Sequence, residues 1–361
     1  MRILRNYIIK ELLPPFIAGL AIFTFILIMD RIFDLANLII TKGVPLTTVV
    51  RLLLYTLPFS ISLSVPMALL MATLIGFGRL SQDNEITAMK ASGINTYAIM
   101  MIPISFALVV SIFMVFFNDS VVPMSNQSFK KLYYNIIYKN PVAKLEEHTF
   151  TDLQDHRIYI ERINPKTSEL ENVVIYKNDD DTLITASRGI SKSQKASITL
   201  ELKDGAIHSI DRNNPSEYNR VAFETYNISM DFSSQQTYKR INQKSLREMN
   251  KKELRAEITR LKGKKISVNS LLVELYLRTV IPFACLAFAF IATPLGIKTQ
   301  RGSKSIGFGM SLILIFIFYL LLLAGITIGE KGWVAPLIAT WIPNIFMVAV
   351  GLFFMARAAK H

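Results

Sequence analysis

Apolar and polar positions follow two different periods along this chain. Six stretches contain no charged residue: 12–29, 52–77, 91–118, 279–297, 305–329 and 332–356. At about 1.5 Å rise per residue, each is long enough as a helix to cross a hydrocarbon core of roughly 30 Å. Between the third and fourth stretches the pattern changes. Over residues 150–232 apolar and polar side chains alternate, which predicts strands at 156–163, 173–176, 182–186, 197–202 and 221–228. Turn signals separate them: Asn164-Pro165, Asn178-Asp179-Asp180-Asp181, Lys203-Asp204-Gly205 and Asn213-Asn214-Pro215. Short strands at such spacing predict an antiparallel sandwich or open barrel. Residues 246–261 return to a helical period, with Leu246, Met249, Leu254, Ile258 and Leu261 on one face and Lys and Arg on the other. The expected order is three spans, a β domain, an amphipathic linker helix and three more spans. As ranges these are 1–118, 119–245, 246–270 and 271–361.

Composition sharpens this picture. Of 361 residues, 51% are hydrophobic and 19% charged. Forty-seven of the 67 charged residues lie between Asp119 and Arg278. Flanks so poor in charge cannot cover their apolar surface in water, which argues against a soluble single-core enzyme and against disordered flanks. The net charge of +13 invites a nucleic-acid reading, but 26 basic against 21 acidic residues leave the polar middle at only +5. The remaining +8 sits in short loops. With the N-terminus inside, ten Lys and Arg fall in the inner short loops and four (Arg31, Lys42, Arg51 and Lys331) in the outer ones. That bias predicts both termini in the cytoplasm and the β domain outside. Arg2, Arg5 and Lys10 precede the first stretch as in a signal peptide, yet no small-x-small cleavage site follows, so an uncleaved helix is expected. Pro14 and Pro15 suit its first turn. The prolines at 58, 66, 103, 282, 294, 336 and 343 read as packing kinks, and Gly325 with Gly329 as a close helix contact.

Catalytic chemistry finds little material. One cysteine, Cys285, sits in an apolar run, and the four histidines are dispersed without metal-ligand spacing. Asp179-Asp180-Asp181 reads as a solvated turn, because calcium ligands alternate around their ion. No phosphate-binding GxxxxGK[ST] occurs, and neither 263–265 nor 301–305 matches it. The span centres lack ionisable residues, which speaks against a proton relay. No cofactor is expected.

The inner loop between spans two and three is the most patterned: Gly78-Arg79-Leu80-Ser81-Gln82-Asp83-Asn84-Glu85-Ile86-Thr87-Ala88-Met89-Lys90-Ala91-Ser92-Gly93. Ser81 or Asp83 can cap a helix start, and Gly93 can end it in the left-handed conformation. A short helix over about 80–92 follows, with Ile86, Met89 and Lys90 projecting together. It reads either as a plain connector or as an element for insertion into a partner's groove.

This loop closely resembles the coupling-helix signature of the lipopolysaccharide-export permeases, the LptF/LptG (YjgP/YjgQ) family. The opening Arg5-Asn6-Tyr7-Ile8-Ile9-Lys10-Glu11 is also similar to the family's start. So are Arg278-Thr279-Val280-Ile281-Pro282-Phe283 and Ala292-Thr293-Pro294-Leu295-Gly296 in the fourth span. The resemblance covers essentially the full length. It implies a polytopic α-helical inner-membrane protein with six spans in a 3+3 arrangement and an inserted periplasmic antiparallel β-jellyroll-like domain.

The implied function is that of a permease subunit of an ABC transporter. It would extract lipopolysaccharide from the inner membrane and pass it to a periplasmic jellyroll bridge. The implied partners are a cytoplasmic ATPase dimer, a paralogous or identical permease, the bridge proteins and the lipopolysaccharide itself, and no nucleic acid. Carried over by position, Glu85 is the coupling acid, with Arg79, Met89, Ala91 and Gly93 beside it. Arg31 and Lys42 are candidates for the lipid's phosphates, where Arg can bind charge-assisted. For Arg31 an interfacial anchor is the competing role, and Asp34 can compete for it. The alternative functions are a membrane-anchored assembly or sensor protein whose β domain binds a partner, and a lipid-modifying membrane enzyme. Six spans exceed what an anchor needs. The scarcity of paired acids or histidines near the membrane plane opposes the enzyme.

Overall fold

A backbone in hydrocarbon has only itself to bond to, and the six apolar stretches accordingly form continuous helices. The computed structural model describes residues 2–40, 44–139, 147–153, 156–164, 169–177, 182–194, 197–210, 218–231, 244–264, 266–298 and 304–360. Lys42, the Asn178–Asp181 turn and the Asn213-Asn214-Pro215 turn lie outside these residues. The helices are α1 (Arg2–Ile40), α2 (Leu46–Gln82), α3 (Glu85–Ala91), α4 (Thr96–Lys139), α5 (Lys251–Gly263), α6 (Asn269–Lys298), α7 (Lys304–Lys331) and α8 (Pro336–Lys360). All but α3 and α5 are long and apolar enough to cross a membrane. The 39 residues of α1 span about 58 Å, roughly twice the hydrocarbon thickness. Several expected boundaries move for this reason. Pro14 and Pro15 lie well inside α1 rather than in its first turn, because the charged opening is already helical. Arg31 and Arg51 sit in helices and not in loops, and the third span begins at Thr96, not at residue 91.

The chain divides into two compact units. One comprises Met1–Arg31, Leu54–Gln127 and Ser245–His361; the other comprises Ile32–Leu53 and Ser128–Lys244. In the first, α2 and α6 are central: 78% and 72% of their most apolar windows are buried, against 17% for α1 and 22% for α7. Phe77, Leu80, Ile99 and Met100 pack with Ile8 and Leu12 in one cluster. Phe288 and Phe318 meet edge to face in another, centroids 4.7 Å apart.

Proline kinks and glycines are matched across helices. Pro294 has no N–H for the carbonyl of Phe290, and Pro343 none for that of Ala339. A Cβ at Gly351 would lie 2.7 Å from the Phe290 oxygen, and one at Gly325 would lie 2.3 Å from the Ala339 oxygen. Each freed carbonyl thus has a glycine backbone laid against it. The expected contact at Gly325 and Gly329 is present, since Gly329 also faces Val273 and Ala339. Buried amides add ties: the Asn344 side chain donates to the Val280 carbonyl at 2.9 Å, and the Ser62 hydroxyl to Asn118.

Where one amphipathic helix over 246–261 was expected, the chain makes a 3-10 turn (Leu246–Glu248) and then α5. Asn250 interrupts the helix by capping α5. Its side chain accepts from the Glu253 N–H, and Glu253 accepts from the Asn250 N–H, both at 2.9 Å. The apolar face forms as read, with Leu254 and Ile258 buried against Val268, Leu271 and Leu275. α6 starts earlier than expected and includes the buried Arg278. One Arg278 nitrogen donates to the Leu246 carbonyl at 3.0 Å and another lies 3.8 Å from Asp119, whose carboxylate also accepts from the Lys251 N–H.

The second unit holds an antiparallel meander of β1 (Thr151–Leu153), β2 (His156–Asn164), β3 (Glu169–Lys177), β4 (Thr182–Gln194), β5 (Ser197–Ile210) and β6 (Tyr218–Asp231), paired in sequence order. The alternation locates these strands but misjudges one feature. Lys203-Asp204-Gly205 is not a turn: β5 runs through it, in unbroken register with both neighbours.

The reason lies in the core residues, which change parity along each strand. Ile158 and Ile160 are followed by Ile163; Leu170 by Val173 and Ile175; Ile184 and Ala186 by the buried Gly189; Leu200 and Leu202 by Ile207; Phe223 by Ile228. Between them lie polar doublets, Glu161-Arg162, Glu171-Asn172, Ser187-Arg188, Lys203-Asp204 and Glu224-Thr225. Arg162, Glu171, Arg188, Lys203 and Thr225 pair in one row across the sheet. A phase change in five strands at one level, without a register change, folds the sheet along that row so that both halves reach one core. Asn172 (φ 50°) and Asp204 (φ 53°) adopt the left-handed conformation there, which Asn and Asp tolerate best among residues with a Cβ. Gly205 is obligatory for space, because a Cβ would lie 2.2 Å from the Thr185 oxygen and 2.5 Å from the Phe223 ring.

Two tests follow from this packing. Gly325→Ala and Gly351→Ala are each expected to cost about 1–3 kcal/mol through overpacking. Gly309→Ala, whose added methyl meets nothing within 4 Å, should leave the thermal unfolding midpoint of the detergent-solubilised chain in place. In the β unit, Gly205→Ala should lower stability by about 2 kcal/mol. Asp204→Gly should raise it by about 1 kcal/mol. Protease resistance of the β unit on heating reads both, and equal effects of the two substitutions would refute the fold line.

Candidate functional site

The site is built around α3, which at seven residues is too short to be stable alone. Its start differs from expectation. Neither Ser81 nor Asp83 caps it. The chain leaves α2 through Asp83 and Asn84, and Asn84 is left-handed (φ 58°) with no side-chain capping bond. Ser81 is buried instead and donates to the Ile297 carbonyl of α6 at 2.7 Å. The end is as expected. Gly93 (φ 80°) closes a Schellman turn, with its N–H on the Lys90 carbonyl at 2.9 Å and the Ile94 N–H on the Met89 carbonyl at 3.1 Å.

Tertiary contacts supply the rest of the hold. Ile86, expected to project together with Met89 and Lys90, is buried among Ile8, Leu12, Phe77, Leu80 and Ile99, and Met89 packs at the edge of the same cluster. The outward surface of α3 and its cap therefore consists of Thr87, Ala88, Ala91, Ser92 and Gly93, with Glu85, Met89 and Lys90 half-buried beside it.

Polar contacts join this helix to α1. The Tyr7 hydroxyl donates to Glu85 Oε2 at 2.7 Å. Arg79, on the last turn of α2, pairs with Glu11 of α1 and lies 3.4 Å from Asp83. Of the residues expected here, Glu85, Met89, Ala91 and Gly93 share α3 and its cap, while Arg79 is engaged by Glu11 and Asp83. Sequence reasoning missed Tyr7 and Glu11 as members. Their signal was available: they stand four apart in the opening motif and so share one face of α1.

Arg31 is elsewhere, exposed on α1, and Lys42 lies outside the described residues. Among the described residues no group of His, Cys, Asp and Glu could hold a metal ion. Cys285 is fully buried. His208 bonds Tyr218 and Thr185 within the sheet. The arrangement around α3 is thus suited to recognition: small side chains permit close approach, one carboxylate stands at the helix start, and the frame behind is rigid.

No curated protein sequence matches the chain. The model of the family described as lipopolysaccharide export system permease LptF/LptG matches residues 6–357, nearly the whole chain, including α3 and both flanking sets of spans. The chain belongs to the LptF/LptG family of lipopolysaccharide export permeases.

Proposed function

We propose that this chain is a permease subunit that extracts lipopolysaccharide from the inner membrane and passes it to a periplasmic bridge, powered by a separate cytoplasmic ATPase dimer. Its family makes it a multi-pass inner-membrane protein and a permease of a lipopolysaccharide-exporting ABC transporter. The finer assignments rest on physical argument. With both termini cytoplasmic, α3 faces the cytoplasm and the β unit faces the periplasm, in line with the Lys and Arg bias of the short loops. The sequence has no phosphate-binding loop, so nucleotide is bound by a partner.

The observation that carries the reading is α3 itself. It is a stub anchored by Ile86, locked at its end by Gly93, and turned outward with Ala88, Ala91 and the Glu85 carboxylate. Such a surface fits a groove with a basic residue at one end. Glu85 is the docking acid, Met89, Ala91 and Gly93 shape the contact, and Arg79 acts from behind it. A second, paralogous or identical permease completes a cavity for acyl chains between the two sets of spans. Arg31, and Lys42 beyond it, meet the lipid's phosphates at the outer surface.

Reversing the docking charge tests the first assignment. Glu85→Lys is expected to weaken association with the ATPase at least about 30-fold, since loss of an interfacial charge pair costs about 2 kcal/mol or more. The amount of ATPase that co-purifies with the permease measures this, and undiminished recovery would remove Glu85 from the contact. For Arg31, a photoreactive residue at that position should crosslink to lipopolysaccharide during ATP turnover. Absence of the adduct, with a working control in α7, would count against a lipid contact.

A further inference from the structure

α3 is joined covalently to α2 and α4, and the side chains add a third attachment, to α1. Tyr7 holds Glu85, and Glu11 holds Arg79 at the last turn before α3. Beneath these polar contacts, Ile8 and Leu12 are fully buried in the cluster that contains Ile86, and Leu12 packs where Gly76 of α2 leaves room. One face of α1, at positions 7, 8, 11 and 12, therefore meets α3 and the end of α2 at every level.

The two kinds of contact do different work. Buried apolar groups fix where α3 lies but not how the Glu85 side chain points. The carboxylate is partly exposed on a flexible stem, and exposed polar pairs contribute little to stability. Their contribution is directional. Tyr7 engages Oε2, and an ionised carboxylate accepts about four hydrogen bonds, so capacity for a partner remains. Packing adds an asymmetry of exposure. α2 is the most enclosed span and α1 the least, so α3 is attached to one enclosed neighbour and one whose apolar window is largely uncovered.

We propose that Tyr7 and Glu11 are coupling positions behind the docking site: through Glu85 and Arg79 they tie the first turns of α1 to α3, so that movement received at α3 passes directly into α1. This rests on the reading of α3 as the element that receives the ATPase. Removing these contacts leaves docking intact but wastes the stroke.

The experiment uses the complete transporter in proteoliposomes, with Tyr7→Phe and Glu11→Gln separately and together. Tyr7→Phe keeps the ring and Glu11→Gln keeps the shape, so the buried cluster is preserved. The expected result is unchanged co-purification of the ATPase and a rise of about three- to tenfold in ATP hydrolysed per lipopolysaccharide released, the size of one typical hydrogen bond lost in an exposed setting. A merely structural role would lower hydrolysis and release together. An unchanged ratio in all three variants overturns the proposal. Loss of the ATPase from Tyr7→Phe overturns it too, because Tyr7 would then act in docking. Glu85→Lys run in parallel separates the two levels. If that variant keeps its ATPase, the docking reading fails and this inference with it. If it loses the ATPase while the Tyr7 and Glu11 variants keep a normal ratio, only this inference fails.

Discussion

Hydrocarbon offers no hydrogen bonds, and the membrane unit is organised by that constraint. Every carbonyl that a proline leaves unpaired needs a neighbour or a close contact. Gly351 against Phe290 and Gly325 against Ala339 answer this need where Pro294 and Pro343 create it. The same contacts draw α8 onto α6 and α7. Kink and glycine are therefore one feature written on two helices, and neither is intelligible by itself. These contacts also contribute to the enclosure of α6, because helices that pack this closely leave no surface for lipid between them.

That pairing explains what the sequence disclosed and what it withheld. The six apolar stretches were legible because hydrophobic length is a local property. Which of them is central was not, since α1 is the more apolar of the first two yet the less buried, 17% against 78%. Helix ends were misjudged wherever charge was taken as the end of a helix. Arg31 and Arg51 show that a helix can carry its charges beyond the hydrocarbon and continue. At α3 the Gly93 turn was readable, because a left-handed residue at a helix end has few candidates. The start was not. Ser81 looks like a cap, but a carbonyl 216 residues away on α6 holds its hydroxyl, and no local rule anticipates that. Tyr7 and Glu11 could be read as sharing one face of α1, but not as meeting α3, because their partners lie 78 and 68 residues along the chain.

The β unit illustrates a different limit. Period-two alternation predicted strands correctly, but a Lys-Asp-Gly triplet reads as a turn only if strands are assumed to be flat. In a folded sheet the same residues mark the crease. Core residues three apart, as in Ile160 and Ile163 or Leu170 and Val173, are the informative sign, because a flat strand would send one of each pair into solvent. The repetition of that spacing in neighbouring strands distinguishes a crease from a turn, since a turn reverses one strand and a crease must cross them all. Arg162, Glu171 and Arg188 alternate in charge across the exposed ridge, whereas Lys203 stands opposite the like-charged Arg188.

Within the membrane unit, two kinds of contact divide the labour. The membrane unit relies on close apolar packing, which fixes position and resists shear. Around α3 a thin layer of exposed polar contacts is laid over such packing. A salt bridge or hydroxyl–carboxylate bond in water is too weak to hold helices together. It is strong enough to select one side-chain orientation among several of similar energy, and so to join Glu85 to α1 in one way. Apolar contacts alone would leave Glu85 free to turn about its stem, and polar contacts alone would leave α3 without a fixed place. The site draws on both, and its tie to α1 follows from where the tyrosine and the glutamate stand: on the candidate span whose apolar window is the least buried of the six.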